Sequence, residues 1–310
     1  MNKNIKILIF GGSGMVGDSL IRKFSHVGYK NILSPNSKEV NLLDTNLVDN
    51  YIKKNNPDYI IHAAAKVAGI QANKEFNHAF LYENIQMQNH VIMSAHNNSI
   101  NNLMFFGSSC VYPKNINKPI KESDLLGGPL EETNEGYALA KITGIKLCNF
   151  LRKKFKRNYF SVMPTNMYGV KDNFNPLLSH VIPALFRKFH EAKINNLNEV
   201  HVYGSGIAKR EFMHVDDLAD ACVLLMETSH DYDLINIGTG LDIKISELID
   251  IIKNIVGYSG QIVYDKKNPD GTLRKVLNTK LINQLGWVPK RNFQIELTKI
   301  YSYIVENKII

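Results

Sequence analysis

The chain has 310 residues, 44% of them hydrophobic, with a formal net charge of +8; this suits one compact unit with a large core, and no stretch approaches the ~20 apolar residues of a membrane span. The apolar run after Met1-Asn2-Lys3-Asn4 is too short for a secretory signal, and Cys110, Cys148 and Cys222 fit neither a disulfide framework nor paired zinc ligands, so a cytoplasmic protein without metal is expected. The positive charge is scattered apart from one cluster between Arg152 and Arg157, which argues for a solvated helix end or a small phosphate-bearing ligand and against nucleic acid.

In chain order, short apolar runs at Ile5 to Phe10, Ile32 to Leu33, Tyr59 to Ala65, Leu103 to Gly107 and Tyr159 to Thr165 alternate with amphipathic segments such as Phe80 to His96. Strands alternating with helices predict parallel β-α units and hence an α/β doubly wound parallel sheet of Rossmann type. Beyond Gly169 the elements shorten, punctuated by Pro176, Pro183, the Gly204-Ser205-Gly206 turn and the Asn268-Pro269-Asp270-Gly271 turn. Residues 1–170 are therefore expected to bind a dinucleotide and residues 171–310 to form a smaller substrate-binding lobe. A strand over Leu234 to Gly238 could return to the main sheet and interleave the two.

Gly11-Gly12-Ser13-Gly14-Met15-Val16-Gly17 follows the first strand and precedes a helical run from Ser19 to Phe24. Glycines at 11, 14 and 17 permit a tight turn, close backbone approach to a pyrophosphate and close helix packing, while the helix N-terminus favours negative charge. The second strand ends in Leu33-Ser34-Pro35-Asn36-Ser37-Lys38, with no carboxylate before Glu39 to grip the adenosine ribose of NAD. Ser13, Ser37 and Lys38 could instead receive a 2′-phosphate, which favours NADP over NAD; Lys38 as a solvated loop residue is the plain alternative.

Tyr137 and Lys141 form the chain's only Tyr-x-x-x-Lys spacing and lie shortly after Gly107-Ser108-Ser109-Cys110. One helical turn apart, their side chains share a face. A cation beside a phenol favours its ionised form and draws its pKa of ~10 toward a value useful for proton exchange with a carbonyl. Ser108, at the end of the fourth strand, could hydrogen-bond the same oxygen.

The glycine loop, Ser108, Tyr137 and Lys141 resemble the extended short-chain dehydrogenase/reductase family, whose members act mainly on nucleotide sugars. The ordered blocks His62 to Ile70, Gly107 to Pro113, Pro164 to Gly169, Ser179 to Ala184, Arg210 to Asp217 and Pro269 to Thr272 are similar to the branch that epimerises GDP-4-keto-6-deoxy-mannose at C3 and C5 and reduces it at C4 with NADPH, giving GDP-L-fucose. That resemblance implies an epimerising base at Cys110 and its acid partner at His180. It further implies a cofactor site lined by Asn41, Leu42, Ala64, Pro164, Asn166, Met167 and His180, with Lys141 on the nicotinamide ribose. Lys188, Tyr203, Arg210 and Asp270 are implied to contact the GDP-sugar, although Lys188 and Tyr203 depart from an Arg and a Trp in that pattern. A homodimer through Leu81 to Ala95 and Ala138 to Phe155 is implied as well. Read without the resemblance, Cys110 is a buried strand-end thiol and His180 a packing residue at a helix start. A free thiol ionises near pH 8.5, so Cys110 would need a cationic or hydrogen-bonding neighbour to act as a base.

Three other readings keep most of these residues. A C4-reductase without epimerase activity, acting on a related GDP-sugar such as a heptose, would retain all of them. A stand-alone epimerase holding NAD tightly would share the fold. A non-catalytic dinucleotide sensor would need the glycine loop but not Ser108, Cys110, Tyr137 and Lys141 together.

Overall fold

A computed structural model describes residues 2–176, 178–265 and 271–310. The first part of the chain runs β1 (Lys6–Phe10), α1 (Met15–His26), β2 (Asn31–Leu33), α2 (Thr45–Asn55), β3 (Tyr59–His62), α3 (Ile70–Glu75), α4 (Asn77–Asn97), β4 (Asn102–Phe106), α5 (Glu135–Phe155), β5 (Asn158–Pro164) and β6 (Asn166–Tyr168). There follow α6 (Val181–Ile194), β7 (Glu199–Tyr203), β8 (Lys209–Arg210), β9 (Phe212–His214), α7 (Val215–Glu227), β10 (Leu234–Ile237), β11 (Ile243–Lys244), α8 (Ile245–Val256), β12 (Gln261–Asp265), β13 (Arg274–Lys275), α9 (Lys280–Gln284) and α10 (Phe293–Glu306).

The main sheet has six strands in the order β10-β5-β4-β3-β1-β2, all paired in parallel. A parallel sheet needs strands that are apolar on both faces. Strand β1 supplies this by sending Ile7 and Ile9 into one core and Leu8 and Phe10 into the other. The first core packs against Leu20 and Phe24 of α1 and Leu218 and Leu225 of α7; the second packs against Val48 and Ile52 of α2, Val91 and Ile92 of α4 and Ile145 of α5. The late strand read over Leu234 to Gly238 is β10, seated beside β5 with Leu234 opposite Ser161. A third core joins α6, α8 and α10 through Phe186, Phe189, Ile249, Ile252, Leu297 and Ile300.

The strands and helices start and stop at somewhat different residues from the sequence reading, and two of these differences bear on the site. The strand expected to reach Ala65 ends at His62, because past the last ladder bond, Ala63 N to Phe10 O, the backbone at Ala64 crosses the glycine loop. The helix expected from Ser19 begins at Met15, so Met15, Val16 and Gly17 form its first turn and only Gly11 to Gly14 make the turn before it. Since β1 connects to β2 on one side and lies against β3 on the other, the strand order reverses there, which is where open α/β sheets bind ligands.

Candidate active site

The glycine loop lies at that reversal. Gly11 has φ +95°, and a Cβ on it would lie 2.7 Å from Ala64 N; one on Gly17 would lie 2.1 Å from Gly11 O. Any side chain at either position would fill the cradle, which explains the glycines physically. Gly14 is the N-cap of α1 and no side chain caps the helix there, so its first-turn N–H groups are offered to an anion. The arrangement fits a dinucleotide pyrophosphate. In the turn after β2, Ser37 and Lys38 are exposed, while the carboxylate of Glu39 accepts the Asn36 N–H at 2.8 Å. The one acidic side chain of this turn is thereby drawn into the turn itself, leaving a serine and a lysine that could hold a 2′-phosphate. Asn41 and Leu42 follow; the Leu42 carbonyl is tied to His90 Nδ1 of α4 at 2.8 Å. Beyond β5, where Pro164 is buried, Asn166 donates to Glu211 O at 2.8 Å and Met167 packs against the first core.

Helix α5 is aimed by α4. Gly136 N donates to Asn77 Oδ1 at 2.8 Å, and Gln88 Nε2 donates to the Ala140 carbonyl at 2.5 Å. Gly144 brings the helix onto the sheet, since a Cβ there would lie 2.5 Å from Phe105 Cζ. Lys141, 2% exposed, donates from Nζ to Phe106 O at 2.8 Å and lies 5.9 Å from the Tyr137 ring centroid. Ser108 hydrogen-bonds Tyr137, so the three residues meet at the carboxyl end of β4.

The electrostatics run against the sequence reading. Burial is the largest influence on Tyr137 and, with Cys110 adding to it, raises the phenol above its ordinary value, while the Ser108 hydrogen bond opposes them. Burial lowers Lys141 to about 7. Desolvation thus governs both groups, and Tyr137 is a protonated phenol at neutral pH, the form a proton donor needs. His62, fully buried at the end of β3, was not singled out from sequence; burial and then the neighbouring Lys141 charge hold it down to about 3.

Cys110 lies in a tight turn over Ser109–Val111 rather than at a buried strand end. It is partly exposed, and its N–H donates to Ser108 Oγ at 3.2 Å. Lys275 Nζ approaches Cys110 Sγ at 3.9 Å, a contact between residues 165 positions apart that no local pattern announces. His180 is exposed at the N-cap of α6, with Nδ1 3.5 Å from Oδ1 of Asp172, a second residue that sequence reasoning passed over.

On the far side, Lys188 of α6 lies over the exposed Tyr203 ring at the end of β7, 4.6 Å from its centroid, and donates to His201 O at 3.0 Å. Arg210 of β8 is in register with Lys275 of β13. Of the turn expected over 268–271, Asn268, Pro269 and Asp270 lie outside the described residues.

This fold, with a glycine loop at the sheet's reversal and a phenol, a serine and a buried lysine at its carboxyl edge, defines a dinucleotide-binding enzyme of the short-chain dehydrogenase type. The chain belongs to the NAD dependent epimerase/dehydratase family, which matches residues 7–238. It is 44% identical to the GDP-L-fucose synthase of Escherichia coli (strain K12) over 312 residues, covering 98% of this chain and 97% of that one. Among solved structures, it is similar to a GDP-6-OMe-4-keto-L-xylo-heptose reductase from C. jejuni (TM-score 0.91, 32% identity, 99% of each chain covered). It is also similar to MlghC, the GDP-mannoheptose C4 reductase from Campylobacter jejuni with NADP bound (TM-score 0.89, 32% identity, 98% of this chain and 99% of that one). Among the described residues no helix is long and apolar enough to cross a membrane.

Proposed function

We propose that this chain converts GDP-4-keto-6-deoxy-mannose to GDP-L-fucose, by epimerisation at C3 and C5 and NADP(H)-dependent reduction at C4. The carrying observation is that Cys110, Ser108 and Tyr137 share one turn and one helix start: the Cys110 N–H meets Ser108 Oγ, and Ser108 meets Tyr137. A single ketone oxygen held by Ser108 and Tyr137 would serve both halves of the reaction. In the first, Cys110 takes the acidic proton beside the ketone, the electron pair moves onto the C4 oxygen, and His180 returns a proton to the opposite face. In the second, Tyr137 protonates that oxygen, with Lys141 polarising the phenol. NADPH, when bound, supplies the hydride. We assign residues 1–170 to the cofactor and 171–310 to the sugar nucleotide, apart from β10, which completes the main sheet, with Lys188 and Arg210 facing the diphosphate and Tyr203 also in contact with the GDP-sugar.

A homodimer is part of this proposal. Tyr82 of α4 and Phe150 of α5 are 64% and 63% exposed on neighbouring helices, apolar side chains that a second copy of the chain would cover.

The likeness to two heptose reductases favours a second reading, C4 reduction without epimerisation. Incubation with GDP-4-keto-6-deoxy-mannose and NADPH in deuterated water separates the two. NADPH oxidation with deuterium at C3 and C5 is expected; oxidation without label leaves a reductase alone, and no oxidation removes the conversion proposed here, leaving only a reductase of another GDP-sugar such as a heptose.

A further inference from the structure

We propose that Lys275 is the positioning residue that holds the Cys110 sulfur as a thiolate. This rests on reading Cys110 as the epimerising base, and the geometry supplies what such a base lacks on its own. Lys275 is only 9% exposed, and its ammonium reaches Cys110 Sγ at 3.9 Å. Among the described residues no carboxylate forms an ion pair with it. A nearly buried ammonium without a counter-charge is costly; a thiolate at hydrogen-bond distance provides that charge, and the ammonium in turn favours the ionised sulfur.

The lysine is held by the backbone that follows it. Val276 O accepts Ile120 N at 2.9 Å, and Asn278 N donates to Ile120 O at 2.8 Å. Leu277 N donates to Oε2 of the fully buried Glu211 at 2.8 Å. The parallel register of β13 with β8 sets Lys275 opposite Arg210, and paired residues in parallel strands project to the same face. One ladder thus presents two cations to one side, Arg210 for a diphosphate and Lys275 for the sulfur. Among the described residues, the ionisable groups that meet Cys110 are Lys275 of β13 and Tyr137 of α5, and Tyr137, raised by burial, stays neutral. In the reaction the thiolate takes the proton: the substrate C–H bond breaks, an S–H bond forms, the electron pair passes to the C4 oxygen, and Lys275 keeps its charge throughout.

Alkylation by iodoacetamide tests this without substrate or cofactor. Cys148 and Cys222 are buried, 1% and 0% exposed, and burial pushes both thiols up, so label at Cys110, read by peptide mass spectrometry, is selective; Cys110→Ser is the control. In the unaltered protein, alkylation is expected to reach half its plateau below the free-thiol value of ~8.5. Lys275→Met is expected to move that midpoint up by about one pH unit and to slow alkylation about tenfold at neutral pH, with Lys275→Arg close to the parent. An unaltered-protein midpoint at or above the free-thiol value overturns the proposal whether or not the variant folds, and so do superimposable profiles for the parent and a folded Lys275→Met. A displaced midpoint together with no deuterium exchange by the parent supports the pairing while removing the epimerase reading.

Discussion

The Lys141 ammonium donates a 2.8 Å hydrogen bond to the carbonyl of Phe106, tying α5 to the end of β4 two residues before Ser108. Because Tyr137 stands one helical turn before Lys141, this bond also sets where the phenol meets the Ser108 hydroxyl. The site depends on a helix and a strand being docked in one relative position, which Gln88 and Gly144 enforce from α4 and from the helix surface.

That docking has a pH consequence. Burial lowers Lys141 to about 7, so in the free enzyme its charged form prevails below that pH and is lost as pH rises through it. With the charge needed to polarise Tyr137, kcat/KM for reduction is expected to fall on the alkaline side with a midpoint near 7, kcat/KM reporting the free enzyme. Lys141→Arg, which keeps its charge, should remove this limb even if its plateau is lower. A rate that stays level to about pH 9 in the parent would contradict the assignment of Lys141.

The two half-reactions are expected to separate by mutation. Tyr137→Phe should lower NADPH oxidation by roughly 10²–10⁴-fold, the range for loss of a general acid, with deuterium exchange reduced less. Cys110→Ser should suppress exchange at C3 and C5 by a similar factor, measured by mass spectrometry of recovered sugar nucleotide. Full turnover by Tyr137→Phe would remove the proton-donor role.

Gly17→Ala tests the cofactor cradle. Its Cβ would lie 2.1 Å from Gly11 O, so either the loop or the helix must shift. NADPH affinity, followed by fluorescence titration, is expected to fall about tenfold or more, a loss of ~1.4 kcal/mol. Unchanged affinity would place the dinucleotide elsewhere.

Glu211 is fully buried, and its carboxylate accepts N–H bonds from Gly240 at 2.7 Å and Leu277 at 2.8 Å. Glu211→Ala leaves both donors unsatisfied, and a cost of about 3 kcal/mol is expected in urea unfolding. A midpoint within error of the parent would show that the loop and β13 find other partners.

Replacing Phe150 or Tyr82 by Asp should yield monomers in light scattering after size exclusion, because a charge cannot be desolvated in an apolar helix-to-helix contact. A monomeric parent protein would dismiss the dimer outright.

Strand β1 and the glycines after it were legible in the residues because both obey local rules. A doubly buried strand must be apolar throughout, and a tight turn with a positive φ, as at Gly11, favours glycine. The Tyr137–Lys141 spacing was legible for the same reason, as helix geometry places residues four apart on one face. What they do to each other was not. Burial raises the phenol and lowers the ammonium, and burial belongs to the packed chain rather than to any spacing.

Likewise no sequence rule joins Cys110 to Lys275 or His180 to Asp172. The first pair meets because β13 hydrogen-bonds to β8 and its exit is held by Ile120 and Glu211; the second meets where the loop before α6 folds back on itself. Short-range chemistry along the chain was enough to specify the strands, the turn glycines and the phenol-lysine pair. Which side chains share a dielectric, and which distant charge faces the thiol, followed only from docking helices and short strands against the sheet, because electrostatic energies depend on distance and desolvation in space.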